Sequence, residues 1–363
     1  MAFKALYQYQ PLPHEDDIRL LTLYPGKRDD PLLGELNIIS LNSTHCRYKA
    51  ISYTWGNPRR RAYMDCGSDA LKLTQSLDDV LRTVRSITTP QRLWVDQVCI
   101  NQDNIPERSD QVRLMGKIYL QADHVLAWLG RDEKKMATRA FDNIRKLADI
   151  LEGQDIFHGL TDAQRKQLDE FKADDWLPIR KLYQVEWFRR AWIAQEIGTD
   201  TPATIIWGDA SILWSTLTDV SNKLSVYHRP LRRQFDLDAH TVTDLRRRFV
   251  DYPRKGSPKR SFIFQLHYMR HFRATDPRDY VFCMLGHYSA QVGPKASRII
   301  EPDYSKPMNE IYHEVAIRAI ENALSAETSN SLITLNAVQH SSLNGKTRAL
   351  KTMTAAKECI QTI

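Results

Sequence analysis

The sequence predicts an α/β protein, with a mainly parallel sheet flanked by helices and a helical C-terminal extension. Three observations carry this expectation. Short apolar runs alternate with amphipathic stretches from about residue 50 to residue 224, the pattern of strands joined by helical crossovers. Beyond about Val226 the apolar positions recur at helical spacing. A chain of 363 residues with 42% hydrophobic content also holds enough apolar material for one large core or two ordinary ones.

Taken in order, Ile18 to Tyr24 and Glu35 to Leu41 read as two strands joined through Pro25-Gly26, Pro31 and Gly34. Ala50 to Trp55 is a third strand, stopped by Gly56-Asn57-Pro58. Ala62 to Asp65 and Ala70 to Leu73 flank a Cys-Gly-Ser-Asp turn and form a hairpin. Ser76 to Ser86 then carries Leu77, Val80, Leu81 and Val84 on one helical face, with Thr74 or Ser76 as its cap. Leu93 to Val98 is a short strand interrupted by Asp96, with the polar loop Asn101 to Asn104 behind it. Glu107 to Ala122 is a helix opened by Pro106 and an acidic first turn. His124 to Leu129 returns as a strand.

The stretch from 131 to 175 is charged and helical in pattern, and reads as an insertion. Trp187 to Ile197 is an amphipathic helix, Ala203 to Trp207 a strand and Ile212 to Leu224 a helix. Asp244 to Val250, Phe262 to Phe272, Arg278 to Leu285 and Met308 to Leu324 are the helices of the extension. The expected division is therefore 1–225 for the principal domain, 226–330 for the extension and 331–363 for a divergent or truncated tail.

Composition narrows the function classes. The start of the chain lacks the apolar run of a secretory signal, and no segment approaches the roughly 18–20 apolar residues of a membrane span, so a cytoplasmic protein without a membrane span is expected. Five scattered cysteines, Cys46, Cys66, Cys99, Cys283 and Cys359, show no zinc or disulfide spacing, and Cys99 between Val98 and Ile100 reads as a buried thiol. His267 and His271 lack a third ligand, so no metal is expected. Much of the net charge of +7 is concentrated in 246–260, from Arg246-Arg247-Arg248 to Arg260. That cluster lacks the aromatic interleaving of a single-strand binding platform, and solvated surface or an acidic partner is the ordinary reading rather than nucleic acid.

The residues that carry chemistry sit at predicted strand ends. Ligands of open α/β sheets collect beyond the carboxyl ends of the strands, which is where Ser52, Tyr53, Trp55 and Gly56, and Asp96 with Asn101 and Gln102, are expected. Arg190, Trp192 and Glu196 add charge, a flat aromatic surface and a carboxylate, a mixture that suits a nucleotide. Each has an ordinary structural reading as well. Glu196 can pair with Arg190 or Arg189, Asp96 can cap the loop that follows it, and most of the tryptophans can be core.

Three blocks stand in fixed order. They are Tyr48-Lys-Ala-Ile-Ser-Tyr-Thr-Trp-Gly56, Leu93-Trp-Val-Asp-Gln-Val-Cys-Ile-Asn-Gln102 continued to Trp128-Leu-Gly130, and Trp187-Phe-Arg-Arg-Ala-Trp-Ile-Ala-Gln-Glu196. Together they resemble the fungal heterokaryon-incompatibility (HET) domain. Thr275 to Gly286 and Pro302 to Lys306 resemble segments that follow it, whereas Val185-Glu186 departs from the Arg-Pro pair often found before the third block.

The resemblance implies a cytoplasmic effector of non-self recognition and regulated cell death, akin in role to innate immunity, which assembles with itself or with other death effectors. It also implies a remote similarity to TIR domains and a TIR/flavodoxin-like sheet. In TIR domains a helix glutamate splits NAD, and Trp192 to Glu196 keeps the same Trp-to-Glu separation. NAD is then a substrate, no cofactor is required, Glu196 supplies charge to an oxocarbenium-like transition state, and Asp96 binds ribose or polarises a nucleophile. Two alternatives stand beside this enzyme: a non-catalytic interaction module, and a HET-like enzyme recruited to biosynthesis.

Overall fold

A computed structural model describes residues 4–155, 157–239, 241–243, 245, 261–292 and 297–335. The basic 246–260 cluster, most of the expected helix at 244–250, Cys359 and nearly all of the 331–363 tail lie outside the described residues.

Nine strands form one sheet. They are β1 (Asp17–Leu23), β2 (Leu33–Ser40), β3 (Lys49–Tyr53), β4 (Arg60–Cys66), β5 (Asp69–Thr74), β6 (Gln91–Trp94), β7 (His124–Trp128), β8 (Ala203–Trp207) and β9 (Ala210–Leu213), in the order β5-β4-β2-β1-β6-β3-β7-β8-β9. The expectation of a mainly parallel sheet is corrected: the sheet is mixed. Parallel pairing holds through the centre, β6 to β3 to β7 to β8, and again between β2 and β4, while β1/β2, β1/β6, β4/β5 and β8/β9 are antiparallel. The reason lies in the connections. Two-residue turns at Gly67-Ser68 and Gly208-Asp209 reverse the chain, whereas the parallel neighbours are joined by longer connections.

Helix α1 (Gln75–Val84) starts at Thr74, whose hydroxyl accepts from the Leu77 N–H, and buries Leu77, Val80 and Leu81 against β3, β4 and β5. The expected strand over Leu93 to Val98 stops at Trp94. Helix α2 (Asp96–Cys99) follows, with the Val98 and Cys99 N–H groups bonding back to the Val95 carbonyl. Asp96 therefore sits at a strand-to-helix turn rather than inside a strand. Helix α3 (Ile105–Gln121) is capped by Asn104 and buries Val112, Met115, Ile118 and Tyr119.

Between β7 and β8 the charged region folds into α4 (Ala137–Ile150), α5 (Asp162–Asp169) and α6 (Ala173–Tyr183). Helix α4 packs on β9 and on α8 (Trp214–Val226), and Phe141 meets Trp207 at 6.5 Å between ring centroids. These helices extend the main core.

The continuous helix expected over Trp187 to Ile197 is instead a 3-10 turn at Glu186–Arg189 and a short α7 (Ile193–Glu196). A tertiary contact breaks it. Arg273 N donates to the Arg189 carbonyl at 2.5 Å and Ala191 N to the Arg273 carbonyl at 2.9 Å, so the backbone between the two turns serves the extension. Likewise, Ile212 to Leu224 divides into β9 and α8. The extension comprises α9 (Arg229–Gln234), α10 (Phe262–Met269), α11 (Asp279–Phe282), the two-residue strands β10 (Gln291–Val292) and β11 (Ser297–Arg298), and α12 (Met308–Leu335). No described helix is long and apolar enough to cross a membrane.

Candidate functional site

The first and third blocks meet at Glu196. Its side chain is 1% exposed. Arg190 grips it with both guanidinium nitrogens, Nη1 donating to Oε2 at 2.8 Å and Nη2 to Oε1 at 2.9 Å. The Ser52 hydroxyl donates to Oε2 as well, and accepts in turn from Trp187 Nε1 at 2.8 Å. Ser52 faces away from solvent because it is the fourth residue of β3, a strand with neighbours on both sides. A fork of this kind neutralises the buried carboxylate and fixes its plane. The cost of burying both charges is offset by their mutual attraction and by the hydroxyl.

Asp96 belongs to a more open environment. It is half-buried, beyond the end of β6 and beside the end of β3. Trp55 Nε1 donates to Oδ2 at 2.8 Å, the Gln97 N–H to Oδ1 at 2.7 Å, and Gln102 Nε2 to the Asp96 carbonyl at 2.8 Å. Burial pushes the Asp96 carboxyl up to about 6, Glu196 adds to the rise, and Arg190 and the Trp55 bond oppose it. Tyr53 is buried at the same strand end, and burial followed by the Asp96 charge holds its phenol well above the ordinary value. Gly56 turns the chain at φ +64, and a Cβ there would lie 2.7 Å from Ser76 Oγ.

The predicted residues thus fall into two sets joined by electrostatics. Ser52, Arg190 and Glu196 form a closed network, while Asp96, Trp55, Tyr53 and Gln102 gather at the carboxyl ends of β3 and β6. Asn101 is placed through its backbone, its N–H donating to Glu107 Oε1 at 2.7 Å. Glu107 in turn pairs with Arg19, which is 1% exposed, at 2.5 Å. Cys99 is fully buried and burial raises its thiol to about 12, which fits the inert reading. Among the described residues no group of three or more His, Cys, Asp or Glu could hold a metal ion.

Trp192 points to residues the sequence did not single out. It hydrogen-bonds Asp279 of α11, a carboxyl that burial pushes up to about 6 against the opposing bonds from Tyr304 and Trp192. Tyr304 Oη donates to Asp279 Oδ1 at 2.6 Å, and Arg108 of α3 lies over the Tyr304 ring at 4.1 Å. Gln195 Nε2 donates to the Phe282 carbonyl at 3.0 Å, and Gly116 and Gly286 leave room for that amide between them. The signal was visible as the Thr275 to Gly286 and Pro302 to Lys306 segments, but spacing alone assigns them no partner. Two open clefts of about 850 and 930 Å³ lie elsewhere, and neither is lined by Asp96 or Glu196.

Comparison with known proteins agrees with the blocks. A family model described as heterokaryon incompatibility protein (HET) matches residues 48–196. Heterokaryon incompatibility protein 6, OR allele, of Neurospora crassa is 32% identical over 180 residues, a match that covers 46% of this chain and 24% of the relative. The chain therefore spans about a quarter of the length of that curated relative. No solved structure matches. The ordered blocks that meet around Glu196 lie inside the matched segment, and with the Neurospora relative they identify residues 48–196 as a HET domain.

Proposed function

We propose that the chain acts in fungal vegetative incompatibility, as a HET-domain effector that signals by assembling with itself or with other death effectors. On this reading the Glu196 network is the scaffold of the domain. The observation that carries it is the 1% exposure of Glu196 with both oxygens held by Arg190 and one also by Ser52. A carboxylate neutralised in this way and shut from solvent is poorly placed to meet a ribosyl cation. The working unit on this reading includes the extension through Tyr304, because Arg108, Trp192 and Gln195 all spend their polar contacts on it.

A second reading, NAD glycohydrolysis by a TIR/flavodoxin-like site, is favoured by Asp96 instead. Asp96 is half-buried at the carboxyl end of the parallel strands, with the half-buried Trp55 ring bonded to it. Expression of the protein in a fungal host, with cell viability and cellular NAD followed together, separates the two. Killing at constant NAD, retained in Asp96→Asn, is expected for the assembling effector. A fall in NAD that Asp96→Asn abolishes would replace it with the hydrolase.

A further inference from the structure

The edge strands of a sheet present backbone N–H and C=O groups with which another strand can pair, and proteins blunt such edges with charge, proline, bulges or cover. Two edges of the nine-stranded sheet are blunted in this way. The N-terminal segment lies along β5, with Tyr7 N donating to the Ala70 carbonyl at 3.0 Å and Ala70 N to the Ala5 carbonyl at 2.9 Å. On β9, Arg145 of α4 donates to the Ser211 carbonyl at 2.6 Å.

A third edge lies inside the strand order. Strand β2 pairs with β1 from Gly34 to Ser40, but with β4 only at Leu33 and Gly34, because the Gly67-Ser68 turn then carries the chain back into β5. Beyond Gly34, the side of β2 away from β1 meets no strand among the described residues. Bonds at both ends of β2 fix which groups face that side. Tyr24 N donates to the Leu33 carbonyl and Leu41 N to the Asp16 carbonyl, each at 2.9 Å, so the odd-numbered residues of β2 bond to β1, while Leu36, Ile38 and Ser40 turn their backbone outward. The Leu36 N–H is used by Cys66, and the Ser40 carbonyl accepts from Ser43 N at 3.0 Å. Left over among the described residues are the Leu36 carbonyl, both backbone groups of Ile38 and the Ser40 N–H.

These free groups are symmetric about Ile38: an acceptor before it, a donor and an acceptor on it, a donor after it. An antiparallel second copy of β2, turned about a two-fold axis at Ile38, satisfies every one of them. The two Ile38 residues exchange both bonds, and each Ser40 N–H donates to the opposite Leu36 carbonyl. The side chains agree with this register. The run Leu36-Asn37-Ile38-Ile39-Ser40 holds no charge and no proline, and Ile38, 38% exposed, meets its own copy. Asn37 falls opposite Ile39 and Glu35 opposite Leu41, so no like charges face each other.

We propose that the outer edge of β2 is a self-association surface, through which two copies of this chain join by antiparallel β2–β2 pairing into one continuous sheet. This rests on the assembling-effector reading and gives it a surface.

Sedimentation velocity on the full chain over a concentration series, with amide hydrogen exchange followed in parallel, tests this. A dimer that grows with concentration is expected, with exchange at Ile38 and Ser40 slowing as it forms. Ile38→Pro removes an N–H that has no partner within the described chain, and is expected to weaken the dimer about tenfold, from the loss of two neutral hydrogen bonds at the axis. Ile38→Lys sets like charges against each other at the axis, is expected to weaken the dimer similarly and more so at low salt, and decides the matter where the proline variant fails to fold. A monomer at every concentration overturns the proposal. So does a dimer of unchanged strength in the folded variants, or one that leaves exchange at Ile38 and Ser40 unaltered. In each of those cases killing at constant NAD would leave the effector reading standing, so the two fail separately.

Discussion

Glu196 and Asp96 are both carboxylates of HET blocks close enough to influence each other, yet the fold treats them in opposite ways. Glu196 is sealed, with Arg190 bonded to both of its oxygens and Ser52 to one. Asp96 is half-buried, lacks a direct cationic partner among its hydrogen bonds, and is held by an indole and a backbone N–H. A paired charge in a closed pocket serves architecture, whereas an unpaired one at a strand end keeps a proton that can move near pH 6. The difference teaches that a motif residue's neighbours, not its place in the motif, decide between scaffold and chemistry.

The largest effect that can break this comparison is expected at Glu196. Glu196→Ala leaves the Arg190 guanidinium buried without its partner, and is expected to cost about 3–5 kcal/mol of folding stability in urea denaturation. A loss below about 1 kcal/mol would mean that Glu196 is not structural.

Next is the bond that ties the extension to the HET domain. Tyr304→Phe removes the donor to Asp279, with an expected loss of about 1–2 kcal/mol in the same assay and faster proteolysis of the extension. Gly56→Ala is of similar size. Positive φ costs a Cβ roughly 1–2 kcal/mol, and here the Cβ also meets Ser76 Oγ, so a lowered thermal midpoint is expected.

The smallest effect at neutral pH, and the most specific, belongs to Asp96. Its folded pKa is raised, so it binds a proton more tightly folded than unfolded. The stability it contributes is fully present below about pH 4, the ordinary carboxylate range, and is lost as pH rises through about 6. Asp279 acts in the same sense over the same window. Asp96→Asn is therefore expected to flatten the decline in thermal midpoint between pH 4 and pH 7, and the double variant with Asp279→Asn to flatten it further. An unchanged slope in the double variant would show that neither carboxyl titrates there.

Much of this molecule was legible in its sequence. Apolar periodicity placed β1, β3, β7, β8, α1 and α3 within a few residues, because burial against a sheet or along a helix face imposes a period the side chains must obey. The blocks identified the HET domain, and Ser52, Asp96, Arg190 and Glu196 stood out within it. The failures have particular causes. Leu93 to Val98 looks like one apolar strand, and the backbone bonds to Val95 that turn it into α2 leave no trace in hydropathy. Trp187 to Ile197 has helical spacing, but Arg273, more than 70 residues away, takes the backbone groups that a continuous helix would need. Strand direction was missed because alternation of elements says nothing about which strands become neighbours.

Local order and the spacing of apolar side chains suffice for the HET domain, the α/β class and the positions of most elements. Packing makes the sheet mixed, closes Arg190 and Ser52 over Glu196 while Asp96 stays half-buried, and locks the extension to Trp192 and Arg108 through Tyr304 and Asp279. Those outcomes rest on contacts between residues far apart in the chain, whose distances and dielectric surroundings do not exist until the core has formed.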